Sequence, residues 1–321
     1  MKISKKISLN FNDVHLLSDA PSVVSSRSEV LVPMERIIMA PMHSIQGTDL
    51  ITAAVQSGIS VPIHRFNTVS EQKELLSQAV KIKKLLNTKS ELWISVGMND
   101  YKERILANRD SLFINNVGVL LDVANGFSYD VEKVLQDIRR LVGDDLSLFA
   151  GNVHTWSGFS FLETYCNLIR VGIGPGEACL TTANTGIGRG QLTVIDEIAE
   201  NQKHAAVVAD GGIRGSGDLA KAFGVGADYV MIGGLFKHAS EALCVQNNTT
   251  FFGGASAKAK QSVGLPVKHV EGTEINIDRE QIKPLGKILD ELVDGLKSAI
   301  AYSGYSSLQT FIGNGKFEAK V

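Results

Sequence analysis

Cys179 closes a glycine-rich run, Gly172-Ile-Gly-Pro-Gly-Glu-Ala-Cys, and is followed by Leu-Thr-Thr. A partly exposed loop cysteine with a lowered pKa is a nucleophile; a cysteine among apolar neighbours is a small inert hydrophobe. Loop position alone admits both readings. Two more glycine clusters, Asp210-Gly-Gly-Ile and Gly233-Gly234, occur further along the chain. Such pairs are either tight turns or cradles in which backbone N–H groups approach an anion. Their recurrence in consecutive loops favours a phosphate cradle built from Gly211, Gly212, Gly233 and Gly234. Cys166 and Cys244 fall in apolar helical stretches and read as core residues.

The elements that must position these residues follow from hydrophobic patterning. Short apolar, β-branched runs occur at 37–40, 60–63, 92–96, 117–122, 146–150, 168–171, 205–209 and 229–232. Near-continuous apolar runs of this kind are what parallel strands covered by helices require. Helical spacing appears over 70–86, 129–141, 192–200, 215–224 and 288–303. Eight β-then-α units predict an α/β chain closed into a (β/α)8 TIM barrel, with a doubly wound open sheet as the competitor. The glycine clusters then follow strands six, seven and eight, and loops seven and eight are where such barrels hold phosphate. Residues 246–278, rich in Asn, Thr, Gly, Lys and Ser, are too many for an ordinary connection and read as an active-site flap.

The bulk numbers set limits. A chain of 321 residues with 44% hydrophobic content can bury a large core as one domain spanning 1–321. A formal charge of -2 gives no bulk attraction to nucleic acid. No apolar run is long enough for a bilayer, and no signal peptide is read at the N-terminus. Three sparse cysteines argue against a disulfide framework and for a reducing, cytoplasmic setting.

The loop Gly172-Ile-Gly-Pro-Gly-x-x-Cys-x-Thr resembles the catalytic loop of the IMP dehydrogenase/GMP reductase family. Other segments resemble the family in the same order. They are Phe11-Asn-Asp-Val, Ser26-Arg-Ser-Glu-Val, Asp122-Val-Ala-Asn-Gly, Ala150-Gly-Asn-Val, Thr185-Gly-Ile-Gly-Arg-Gly-Gln-Leu, Val208-Ala-Asp-Gly-Gly-Ile, Gly217-Asp-Leu-Ala-Lys-Ala and Gly226-Ala-Asp-Tyr-Val-Met-Ile-Gly-Gly. Within the family, Asp122-Val-Ala-Asn-Gly and Ala150-Gly-Asn-Val-His-Thr resemble GMP reductase more closely. His64-Arg-Phe-Asn runs straight into the next helix, so the paired regulatory (CBS) module of many IMP dehydrogenases is not present after the second strand.

The resemblance implies reductive deamination: Cys179 adds to C2 of the purine, ammonia leaves, NADPH supplies hydride, and GMP becomes IMP. It places the activating threonine at Thr181 and the catalytic glutamate at Glu271. Without it, Glu271 reads as a solvated loop carboxylate. Asp122 and Asp210 would face the nucleotide, with Gly272 beside the base. Arg65, Asn125 and Gly126 would serve the cofactor; Arg65 either meets a 2′-phosphate or lies at the surface of a loop. Carbonyls of Gly174, Gly176 and Cys179 would hold a monovalent cation such as potassium. Relatives are tetramers, so a homotetramer is implied.

Several positions depart from the family pattern. Glu177 stands where serine touches the phosphate, and a carboxylate there is repulsive unless it turns away or pairs with a cation. Phe251-Phe-Gly-Gly-Ala255 replaces a Tyr-x-Gly-Met-Ser-like segment, so Gly254 stands for the methionine that covers the base and Ala255 for a serine on the purine edge, followed by Ser256. Lys268 replaces arginine ahead of Glu271, and Pro41-Met-His-Ser replaces a Met-Asp motif. The machinery around the cysteine is kept while both ends of the pocket differ. The alternatives are therefore a modified purine, deazapurine or unphosphorylated nucleoside as substrate, IMP dehydrogenation, or a nucleotide-binding barrel without catalysis.

Overall fold

A computed structural model describes residues 7–320 other than 263, 265, 266, 268 and 269. Eight parallel strands form the central sheet: β1 (Ile37–Met39), β2 (Val61–Ile63), β3 (Leu92–Val96), β4 (Gly118–Asp122), β5 (Leu148–Val153), β6 (Leu168–Val171), β7 (Ala206–Asp210) and β8 (Tyr229–Ile232). From β2 to β8 each strand pairs with the next, and β8 pairs with β1. The seam between β1 and β2 closes through a parallel bridge from Ile38 to Ser60, whose N–H and C=O bond to Ile37 and Met39 at 2.9 Å each. The fold is thus a (β/α)8 barrel, with helices between successive strands.

Strand alternation decides what fills the barrel. Ile38, Trp93, Leu120, Phe149, Leu168, Val208 and Met231 point inward and form a closed apolar layer. The inward positions two residues later on β4, β6 and β7 are Asp122, Arg170 and Asp210. The barrel therefore changes from apolar to ionic within one step toward its C-terminal mouth. The outward residues pack against the helices in a larger apolar core.

The helix Val69–Leu86 begins one residue ahead of its apparent sequence start at Ser70-Glu-Gln-Lys, with Thr68 as its cap. Thr68 Oγ1 accepts from Glu71 N–H at 3.2 Å, and Glu71 accepts from Thr68 N–H at 2.8 Å, a reciprocal cap that ends the preceding loop. The described residues between 246 and 278 include a strand, Phe251–Phe252, that pairs antiparallel with Glu274–Ile275, and the helix Ala257–Ser262 lies between the two in sequence. A second small ladder joins Val14–Leu16 to Phe317–Ala319. Among the described residues, no helix is long and apolar enough to cross a membrane.

Candidate active site

A cleft of about 1050 Å³ opens at the C-terminal end of the strands. That is the upper end of the range found for small-molecule sites, about 300–1,000 Å³. Its floor is the ionic layer. Arg170 Nη1 donates to Asp122 Oδ1 at 2.5 Å and Arg170 Nε to Asp210 Oδ2 at 3.0 Å. Gly151 on the neighbouring strand leaves room for the Arg170 main chain and Cβ: its φ is +140°, and a Cβ there would fall 2.5 Å from the Arg170 Cβ. Asn152 Nδ2 donates to Asp210 at 2.7 Å, and Arg65 Nε to Asp122 at 3.3 Å. Burial would raise the Asp122 carboxyl, but Arg170 and then Arg65 outweigh it and hold it below the usual carboxylate range. Burial likewise disfavours the Arg170 charge, and the two aspartates restore it above its ordinary value.

One wall is the loop after β6. The Cys179 thiol donates to Thr181 Oγ1 at 3.3 Å, and the Thr181 hydroxyl donates to Glu271 Oε2 at 2.8 Å. Glu271 comes from the far end of the 246–278 excursion, so backbone bonds must bring it here. Leu180 N–H donates to Glu271 O at 2.7 Å, Thr273 N–H to Ala178 O at 3.0 Å, and Glu271 N–H to Ala255 O at 3.2 Å. Gly272 bridges Cys179 on one side and Ser256 on the other. Its ideal Cβ would lie 2.8 Å from Ser256 N, so this three-segment lattice has no space for a side chain. Thiol, hydroxyl and carboxylate thus stand in a line along which a proton can leave sulfur. The other two cysteines are buried: burial pushes the Cys166 thiol up to about 12 and raises that of Cys244.

The loops after β7 and β8 are more than a simple glycine cradle. Lys237, in the turn Gly234–His238 after β8, places Nζ 2.5 Å from both Glu177 oxygens. Gly211 lies against the cysteine loop, where its Cβ would approach Gly176 N to 3.0 Å. In the 251–255 segment, a Cβ on Gly254 would fall 2.9 Å from Phe66 Cζ, so the Phe66 ring takes the space a side chain at 254 would need.

The structure gathers most of the positions singled out from sequence. Cys179, Thr181, Glu271, Asp122, Glu177, Asp210, Gly211, Gly212, Gly233, Gly234, Gly254, Ala255, Gly272, Gly174, Gly176 and Arg65 all line the cleft. Arg65 is turned inward onto Asp122 rather than lying at the surface of a loop. Ser256 is buried, and its hydroxyl accepts from Ala259 N–H in the helix behind. Asn125 and Gly126 lie outside the lining: Asn125 Oδ1 accepts from Phe127 N–H, and Gly126 packs against Leu162 with its N–H on Asn152 O. Lys268 lies outside the described residues.

Arg170, Asn152, Lys237 and Phe66 belong to the cleft but were missed from sequence. Arg170 carried a signal, since a charge inside an apolar barrel strand needs buried partners. Lys237 carried a weaker one, as the cation Glu177 requires.

Comparison with known proteins agrees with this geometry. The sequence profile described as IMP dehydrogenase / GMP reductase domain matches residues 8–320. GMP reductase of Vibrio cholerae serotype O1 is 29% identical, covering 96% of this chain and 94% of the relative. GMP reductase of Buchnera aphidicola subsp. Schizaphis graminum is 29% identical over 96% of this chain and 93% of its own length, and that of Vibrio vulnificus 28% over the same shares. A profile that runs from the first turn before the barrel to the strand after its last helix leaves no part of the cleft outside it, and the chain belongs to the IMP dehydrogenase/GMP reductase family.

Proposed function

We propose that the chain catalyses NADPH-dependent reductive deamination at C2 of a guanine-type purine, the reaction that takes GMP to IMP and ammonia. The observation that carries this reading is the line Cys179 Sγ, Thr181 Oγ1, Glu271 Oε2 on the cleft wall. The names of the relatives support it. Glu271 draws the thiol proton through the Thr181 hydroxyl, and the Cys179 thiolate forms a bond to C2. The same relay returns a proton to the amine, which leaves as ammonia as the C2–N bond breaks, giving a thioimidate. NADPH, when bound, supplies hydride to C2. Reformation of the thiolate then releases a purine that carries hydrogen at C2; NADPH and one proton are consumed, and ammonia and NADP+ are formed.

Residues that fit the two reactants are present. Arg65 and the Arg170 layer offer hydrogen-bonding charge at the cleft floor. Asn125 and Gly126 fit a cofactor less well, because Gly126 is enclosed by Leu162 and Gly151. A potassium ion on the carbonyls of Gly174, Gly176 and Cys179 belongs to the same proposal, as does a homotetramer. Exposed Leu106, Phe113 and Ile114 on two successive helices support the latter as apolar surface for a partner to cover.

The test is loss of NADPH absorbance with GMP, guanosine, 2′-deoxyguanosine 5′-monophosphate and a 7-deazaguanine nucleotide. Turnover of at least one, abolished by Cys179→Ala, is expected. Turnover that survives this substitution sinks the covalent step.

A further inference from the structure

We infer that the Glu177–Lys237 pair fills the anion cradle with the protein's own carboxylate, and that the cleft is built for a purine nucleoside without a 5′-phosphate. This rests on the reading that a purine sits with C2 at Cys179. Paired glycines after β7 and β8 are the feature that would receive phosphate, and both pairs already have occupants. Gly211 is covered by the Pro175-Gly176 turn, at a Cβ distance of 3.0 Å from Gly176 N. The Gly234 position is faced by Glu177 Oε2, 3.1 Å from where its Cβ would be. The anion lying over the second glycine pair is therefore a side chain.

Lys237 explains why the carboxylate stays there. Its side chain is 8% exposed, its Nζ contacts both Glu177 oxygens, and its ammonium lies 5.6 Å from the centroid of the buried Phe251 ring. A lysine this buried needs a counter-charge, and Glu177 supplies it. Its positive charge is thus matched before any substrate arrives. A phosphate dianion would meet a carboxylate at close range and would have to displace it from the lysine. A sugar hydroxyl meets no such opposition. Each Glu177 oxygen has lone pairs beyond the one facing Lys237, and Glu177 is 48% exposed, so it can accept from hydroxyl donors on a ribose. Lys237 is the positioning residue and Glu177 the specificity-determining one.

The test uses the full chain and two readouts. Steady-state kcat/KM is measured for guanosine and GMP by NADPH oxidation. Binding of guanosine, inosine, GMP and IMP is measured by calorimetry on the Cys179→Ala chain, where turnover cannot interfere. The expected result is a preference for nucleoside over nucleotide of at least about tenfold in both readouts. Glu177→Ser, which leaves Lys237 available to a phosphate, should shift that ratio toward the nucleotide by about tenfold or more, and Glu177→Gln, which keeps the size, should shift it in the same direction. The ratio is informative because a merely structural role would lower both substrates together. Preference for GMP or IMP in the unaltered chain overturns the inference, as does a ratio that neither substitution moves, or binding of neither class. Nucleoside binding without turnover of any guanine compound would instead refute C2 reduction and leave the inference standing.

Discussion

Replacing Arg170 with methionine tests the ionic layer at the floor of the cleft. The substitution keeps much of the apolar stem and removes a guanidinium whose side chain is 12% exposed, with Asp122 at 2.5 Å and Asp210 at 3.0 Å. Stripping one partner from a buried pair costs about 3–5 kcal/mol, because the remaining charge is left without compensation. Two compensations survive here: Arg65 on Asp122 at 3.3 Å and Asn152 on Asp210 at 2.7 Å. The lower end, about 3 kcal/mol at neutral pH, is therefore expected. The pH dependence fixes the cause. In the unaltered chain Asp122 titrates below its ordinary value, so its stabilisation is present above that value and is lost as pH falls through the depressed one. Without Arg170, burial dominates and the carboxyl titrates higher, so the variant is penalised as pH rises and relieved as pH falls. Urea denaturation from pH 7 down to pH 4 should show the difference between the two proteins narrowing. A second substitution, Asp210→Asn, should recover part of the loss. A cost under about 1 kcal/mol at pH 7, or a difference that does not shrink on acidification, would refute the argument.

Three other outcomes follow from the same geometry. Thr181→Val, which keeps the shape and removes the hydroxyl between Cys179 and Glu271, should lower turnover by about 100-fold or more, while Thr181→Ser keeps most of it; equal rates for valine and threonine would remove the hydroxyl from the relay. His64 is held neutral down to about 3, first by burial and then by His43 and Arg104. Its unfolded form takes a proton below about pH 6.5, so it lowers stability as pH falls through that window, by up to about 1.4 kcal/mol per pH unit. His64→Asn should flatten that part of a stability–pH curve, and an unchanged slope would show that other groups set it. Gly254→Met should cost about 1–3 kcal/mol by driving a side chain into Phe66. In a double-mutant cycle with Phe66→Ala the two losses should sum to more than the double variant shows, and strict additivity would mean the ring moves aside freely.

The barrel was legible because its strands are buried on both faces and therefore read as unbroken apolar runs. The run at 168–171 coincides with β6 and that at 229–232 with β8. Residues 146–150 read too early: β5 is Leu148–Val153, and its polar end, Gly151-Asn152, hid the continuation. That end is polar for a reason, since Asn152 serves Asp210. The cysteine, threonine and glutamate were placed by family resemblance, and Glu271 could not have been placed by spacing. Its partner Thr181 is 90 residues away and the two meet only through the backbone lattice. Arg170 finds its aspartates 48 and 40 residues off, and Lys237 finds Glu177 at a separation of 60. Local patterning carries no record of such pairs. A glycine's type does not tell its reason: Gly211 lines the cleft, whereas Gly126 lies outside it, where Leu162 and Gly151 leave no space for a side chain.

Gly272, held between Cys179 and Ser256, makes access and reactivity a single variable. The segment that carries Glu271 is also the one that ties the 255–256 segment to the cysteine loop. Any excursion that lifts residues 271–273 away from Ala178 and Leu180 separates the carboxylate from Thr181 in the same movement. On the proposed relay, the thiol would lose its base in the same movement that opens the cleft to oxidants or adventitious electrophiles. The backbone contacts that enclose the sulfur would also be the ones that activate it, so its protection would follow from the wiring and need no separate device.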